Sequence, residues 1–598
     1  IDASGAVVRS RILGGPADSQ GHGTNVAGIA AGSGRRTTDC GSGVAYLRRG
    51  IAPEADLISV RPHNFFGPAG QVGQAINDYG MDISNHSYVQ VLNGIYSIQA
   101  AQLDKLIRGD RITSSGAVPA RPLIWAIGNN GIVPQYGDNE GYFSVSAPAK
   151  NGIVIGATIA DGAGVIDRLY DGSALGPTFD GRLKPDLVAP GSRITTTREG
   201  TNCYTTQSGT SLSAPAVAGI AGLVLEEYAL VTGTNLDTDP PLPSTMKAVL
   251  IQTAKDLKHT VPDIQDRRDN PDTDAPVLYH AGPDYATGYG RIDASAAVNL
   301  VRNRRFVEGT ISDRIQTDEY CVGSTIGPRL QATLAWDDEP DEDRHTSRTY
   351  PNLINDLELR LIEPDETVHL PWVLPPLTPA TESGAPDPIA ATDILPAAPG
   401  EDHLNNVEQI TVPDPTRGVW KLRVSVADGS VGLLEIPQPY SIAIDGPIVL
   451  GCPDLVVTAF EATGPAELRP LQGSGRNSAH LPVRVTVENQ GTGEAHPFKL
   501  AAVYAGGPSN PGRDFVVAFS VPGQSSIWYP RRIDRLSAGA SWTVEGELVF
   551  HPSASGSTAS IAIEADSCSG DEFVPSYCRV PESDETNNFS DRLPSVLP

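Results

Sequence analysis

The chain has 598 residues, too many for one hydrophobic core; at about 150 residues per domain, three or four domains are expected. Acidic residues outnumber basic ones, 71 to 44, and the net charge of −27 argues against nucleic acid as a partner. Hydrophobic residues make up 39%, and no uninterrupted apolar run reaches the roughly 18 residues of a membrane span, so a globular chain without a transmembrane helix is expected.

The chain begins at Ile1 with neither a Met nor a signal peptide, which reads as a processed form or a fragment. From there to about residue 300, strand-like runs alternate with helical patterns. Strands are expected at "PLIWAIG" (122–128), "NGIVIGAT" (151–158) and "PDLVAPG" (185–191). Helices are expected at "GTNVAGIAAG" (23–32), "SAPAVAGIAGLVLEEYALV" (213–231) and "STMKAVLIQTA" (244–254). This interleaving predicts an α/β fold, a parallel sheet with helices on both faces. Stretches 232–243 and 258–287, rich in Pro, Asp and Gly, read as surface loops.

Acyl transfer needs a nucleophile, a base and donors for an oxyanion, and this region offers one candidate for each. "GHGT" (21–24) puts His22 at the mouth of a helix built of small residues. "SGTSLSAP" (208–215) puts Ser211 at the start of a long apolar helix, where free N–H groups and the helix dipole favour an oxyanion. Pro215 is expected in the first turn, where a missing N–H matters least. "AIGNNG" (126–131) ends a buried strand with Asn129, whose amide can donate to the oxyanion. Taken singly, these are more often a surface His, an N-cap and a turn. Their co-occurrence in this order on one α/β pattern favours chemistry.

These three boxes resemble those of the subtilases. The resemblance implies His22 as base, Ser211 as nucleophile and Asn129 as oxyanion donor. It extends over about 1–300 through "VSAPAKNGIVIGAT" (145–158), "GPTFDGRLKPDLVAPGSRI" (176–194) and "GYGRIDASAAV" (288–298), which resembles the closing helix. "ISNHSYV" (83–89) resembles the edge strand that pairs with substrate backbone, which makes Ser84, Asn85, His86 and Gly128 the expected substrate-binding residues. The family's triad Asp lies in a D-[ST]-G box. The N-terminal candidate is Asp2 in "IDASG", 20 residues before His22, with no apolar strand ahead of it. The triad acid is therefore expected upstream of Ile1 rather than at Asp2. Asn25 stands where a second His is common, and "DGSALGP" (171–177) replaces a Ser-rich strand.

Beyond about residue 305 the helical periodicity stops. "LQATLAWDDE", "NDLELRLIEP", "NNVEQITVPDP", "GVWKLRVSV" and "PYSIAIDG" read as strands of an all-β sandwich, with the Pro-rich stretch 371–399 as a long loop. They resemble the sandwich that follows the catalytic domain in one alkaline subtilase subfamily, a module similar to the P domain of proprotein convertases. From about 452, "PDLVVTAFEA", "HLPVRVTVENQGTG", "FKLAAVYAGG", "SWTVEGELVF" and "STASIAIEAD" form a second β segment. Through "PDLVV", "VTVENQGTGEA" and "ESDETNN" it resembles a CARDB domain, an immunoglobulin-like sandwich; a generic sandwich is the alternative. The expected domains are thus 1–303, 304–450 and 451–598.

Six cysteines without a CxxC pair make a zinc site unexpected and fit an oxidising compartment, buried free thiols being the alternative. Cys568 and Cys578 close a short loop and form the first disulfide candidate. Cys321 and Cys452 sit at the ends of the middle sandwich, which leaves Cys40 for Cys203 by elimination. The expectation is a secreted, bacterial serine endopeptidase acting on protein or peptide substrates, with the C-terminal domains open to an extracellular or cell-surface ligand. The chemistry requires no cofactor. Structural calcium is compatible with the family, although no D-x-D-x-D-G loop is present. The rival is a non-catalytic binding or adhesion protein keeping the fold. Esterase chemistry is disfavoured because no G-x-S-x-G surrounds Ser211.

Overall fold

The computed structural model describes residues 10–13, 18, 20–35, 44, 46–60, 69–88, 94–110, 117–131, 144–159, 168–201, 203–257, 280–323, 328–341, 352–375, 395–416, 419–427, 437–470, 477–495, 498–505, 518–520, 531–533, 535–549, 558–565 and 593–596. Asp2, Cys40, Cys568 and Cys578 lie outside the described residues.

The N-terminal half runs β1 (Ser10–Leu13), α1 (His22–Ala31), β2 (Leu57–Val60), α2 (Ala69–Tyr79), β3 (Ser84–His86), α3 (Ile98–Arg108), β4 (Leu123–Ala126), β5 (Ile153–Ile159), β6 (Arg168–Leu169), β7 (Leu187–Ser192), β8 (Ile194–Thr197), β9 (Tyr204–Gln207), α4 (Thr210–Thr232), α5 (Pro243–Gln252) and α6 (Ala294–Arg302). β3, β4, β5 and β7 form a parallel sheet in that order, with β6 antiparallel to β5. β1 and β2 pair separately, also in parallel. Successive strand residues face opposite sides. Accordingly Leu123, Trp125 and Ile127 join the core of α2 and α3, while Ile124 and Ala126 join that of α4, α5 and α6. The sheet is covered on both faces, as the interleaved pattern predicts.

Differences from the sequence reading are local. α2 and α3 were not anticipated, because polar residues interrupt their apolar positions. Residues 283–287, assigned to a surface loop, are buried: Asp284 folds the turn by accepting from Ala286 N at 2.8 Å and Thr287 N at 2.7 Å. α4 is long and apolar enough to cross a membrane, but Leu212, Val217, Val224 and Leu225 on it are buried in the core, which makes it a core helix.

The chain then turns to antiparallel β structure. Strands 306–311, 438–444, 329–336 and 407–413 form one sheet; 368–369, 357–362, 419–426, 317–323 and 448–450 form the facing one. Their inner faces meet around Trp336, Trp420, Tyr440 and Leu359. A further pair of sheets is built from strands between 455 and 596, with Val483, Val485, Val487 and Leu548 in its core. A disulfide joins Cys321 to Cys452 with a Cα–Cα distance of 5.1 Å, as expected from their positions. Cys203 is also disulfide-bonded.

The first sandwich is docked on the α/β half rather than tethered to it. Ala335, Val407 and Ala443 share the apolar cluster of α5. Gln252 and Gln331 exchange amide-to-carbonyl hydrogen bonds of 2.8 and 2.9 Å. Lys150, fully buried, donates to Asp338 Oδ2 at 2.5 Å, to Asn352 O at 2.6 Å and to Glu339 O. Asn151 and Asp338 form a reciprocal pair, with both bonds 2.8 Å.

Candidate active site

His22 opens α1 and is exposed. The helix has no side-chain cap at Gly21. Instead Asp18 Oδ2 accepts from Thr24 N at 2.6 Å and Thr24 Oγ1 at 2.8 Å. Burial works to raise the Asp18 carboxyl, but these bonds and those of Gly21 and Gly23 outweigh it and hold it below the usual range. Asp18 therefore supplies the anion that the helix N-terminus favours. The same end of α1 is tied to β8: Asn25 Nδ2 donates to Thr197 O at 2.6 Å, and Thr197 Oγ1 donates to Thr24 O at 2.6 Å. The small residues of α1 permit this closeness.

Ser211 is the second residue of α4. Its N–H is among the first four amides of the helix, which have no intrahelical acceptor. Gly209, just before it, has φ 148°, a conformation that side chains rarely adopt. Pro215 lies in the second turn, one turn deeper than expected from the sequence, and its missing N–H leaves the carbonyl four residues earlier, that of Ser211, without a helical donor.

Asn129 follows the C-terminal end of β4. Its Oδ1 accepts from Thr210 N at 2.9 Å and Thr210 Oγ1 at 3.1 Å, while Gly128 N donates to Thr210 Oγ1 at 3.3 Å. Because Thr210 N–H can only donate, the amide oxygen is the atom turned to Thr210, which leaves Nδ2 as a donor. Gly128 has φ 117°, and a Cβ there would lie 2.9 Å from Ser146 Oγ. Gly128, Asn129 and Ser211 are thus brought together through Thr210.

On β3 the side chains alternate. Ser84 and His86 are turned into the interior: Ser84 Oγ and His86 Nε2 are 2.8 Å apart, and His86 Nδ1 is 2.9 Å from Tyr88 OH. The His86 ring stacks on Trp125 at 4.1 Å, and burial pushes its pKa down to about 3, so it is neutral. Both side chains are therefore engaged inside the fold. Asn85 faces the other way with Ser87, a residue the sequence reading left unassigned. Asn85 Nδ2 donates to Ser87 Oγ at 3.1 Å, Ser87 Oγ donates to Ser211 O at 2.9 Å, and Ser211 Oγ donates to Ser87 O at 3.3 Å.

His22 is not joined to this set by a hydrogen bond. Among the described residues nothing hydrogen-bonds its ring, and no group of three or more His, Cys, Asp or Glu is disposed to hold a metal ion. No calcium ligands are assigned.

Residues 14–290 match the subtilase family, Peptidase S8. The chain is 31% identical over 244 residues to serine protease AprX of Bacillus subtilis (strain 168), covering 36% of this chain and 50% of AprX. It is 30% identical over 216 residues to thermitase of Thermoactinomyces vulgaris, covering 36% of this chain and 63% of thermitase. Among solved structures it is similar to the epidermin leader peptide processing serine protease EpiP from Staphylococcus aureus, at 21% identity with a TM-score of 0.30, covering 47% of this chain and 63% of that one.

Proposed function

With a subtilase-family domain over residues 14–290 as the premise, we propose that this chain is a secreted serine endopeptidase working through an acyl-enzyme. The observation that carries the reading is the anchored amide of Asn129. Held by Thr210 at its oxygen, it keeps Nδ2 available as a donor, and the Ser211 N–H in the first turn of α4 is the second donor of a pair suited to an oxyanion. In this reading Ser211 Oγ attacks the peptide carbonyl and its proton passes to His22. The charge forming on the carbonyl oxygen is held by Asn129 Nδ2 and Ser211 N–H. His22 then protonates the leaving amine, and water hydrolyses the ester in the reverse sense. The side chains carry this chemistry without a cofactor. An extended peptide lies along the main chain of β3 next to Gly128. We further read 1–303 as the catalytic domain, 304–450 as a sandwich docked upon it, and 451–598 as a CARDB-like module for an extracellular ligand.

The test is Ser211→Ala in a complete form of the protein that includes the triad acid, assayed on casein and a peptide anilide. Loss on the order of 10⁶ in rate is expected if Ser211 is the nucleophile. Retention of a substantial fraction of the parent rate would overturn the assignment.

A further inference from the structure

We propose that Ser87 is a positioning residue for the nucleophile, its hydroxyl standing in for the backbone amide that Pro215 removes from α4. The proposal rests on the peptidase reading above and deepens it. In an unbroken helix the N–H of residue 215 would donate to Ser211 O. Proline has no N–H, so that carbonyl needs another donor. Ser87 Oγ fills the place at 2.9 Å. Its hydrogen is aimed there because Asn85 Nδ2 occupies the acceptor side of the same oxygen at 3.1 Å. Ser87 itself is buried, so its hydroxyl cannot turn to bulk water instead.

The neighbouring residues hold Ser87 in place from the other face of the strand. His86 is stacked on Trp125, and Trp125 Nε1 donates to Tyr88 O at 2.7 Å, so the residues on both sides of Ser87 are fixed. The backbone of Ser211 is thereby fastened to β3 across the sheet–helix boundary. The return bond, Ser211 Oγ to Ser87 O at 3.3 Å, holds the nucleophile in a resting orientation. It is the longer of the two and must be released when the hydroxyl turns to a carbonyl. One serine thus fixes the main chain of the nucleophile and parks its side chain.

The experiment is a cycle on the full chain: Ser87→Ala, Ser87→Thr, Pro215→Ala and the double variant Ser87→Ala/Pro215→Ala. The readouts are kcat and KM on a peptide anilide and the rate of labelling by a fluorophosphonate probe. Ser87→Ala takes from the half-buried Ser211 carbonyl its side-chain donor, so kcat and the labelling rate should fall about tenfold to a hundredfold with KM nearly unchanged. Ser87→Thr keeps the hydroxyl and should recover most of the rate. Pro215→Ala restores the helical amide, so in that background removing the Ser87 hydroxyl should cost at most about threefold. Equal losses in both backgrounds, or full activity in Ser87→Ala, overturn the clamp. If Ser87→Ala does not fold, the comparison of Pro215→Ala with the double variant still decides, since the double variant must then fold and label at nearly the Pro215→Ala rate. A complete form of the parent protein, triad acid included, that takes no label overturns the peptidase reading itself, and the clamp with it.

Discussion

Replacing Lys150 by Met should loosen the docking of the first sandwich on the α/β half. The Lys150 and Asp338 side chains are both fully buried, and Nζ makes three donations, to Asp338 Oδ2, Asn352 O and Glu339 O. Met fills similar volume but donates nothing. Among the described residues, the Asp338 carboxylate would then keep Ile354 N at 2.9 Å and Asn355 N at 2.8 Å as its partners. Removing one member of such a pair destabilises by about 3–5 kcal/mol, most of it from the charge left behind. If the α/β half and the first sandwich unfold together, about 450 residues at roughly 2.1 cal/mol/K each make 1 kcal/mol worth about 1 °C, so Tm should fall by about 3–5 °C. Scanning calorimetry of the full chain measures this. Adding Asp338→Asn neutralises the stranded charge and should recover about half of the loss. A Lys150→Met variant within 1 °C of the parent, or a double variant less stable than the single one, would refute the reasoning.

Two further outcomes follow from the site and the buried turn. Asn129→Ala should lower kcat by about 10²–10³ and leave KM nearly unchanged, because the amide matters only once the carbonyl oxygen is charged; a change in KM without one in kcat would make Asn129 a binding residue. Burial pushes the Asp284 carboxyl up to about 7, against the hydrogen bonds it accepts from Thr287 and Ala286. Its folded pKa lies above the ordinary 3.8, so its contribution to stability is full below 3.8 and is lost as pH rises through about 7. Urea midpoints should therefore show Asp284→Asn gaining on the parent between pH 4 and pH 8, and a variant that loses ground over that interval contradicts the assignment.

The candidate site was legible where chemistry sits at the end of a strongly patterned element. "GHGT" and "GTS" precede helices of small apolar residues, and "GNNG" ends a buried strand, so pattern alone brings out His22, Ser211 and Asn129 as candidates. Ser87 gave no such signal: a serine just after a short polar strand has no periodicity to mark it, and its meaning depends on a proline 128 positions away in the chain. Asp18 escaped for a related reason, since it caps α1 from outside the helix, in place of Gly21.

What the sequence by itself determined was the fold class and the strongly patterned strands and helices, because hydrophobic periodicity is local and survives without knowledge of partners. Tertiary structure alone decided the pairings. It turned residues 283–287 inward, set Lys150 against Asp338 across 188 residues, and brought Ser87 to the carbonyl freed by Pro215. Each depends on which polar groups are left without a local partner once the helices and strands have formed. A buried donor or acceptor must then find its complement through space, and nothing in its sequence neighbourhood says where that complement lies.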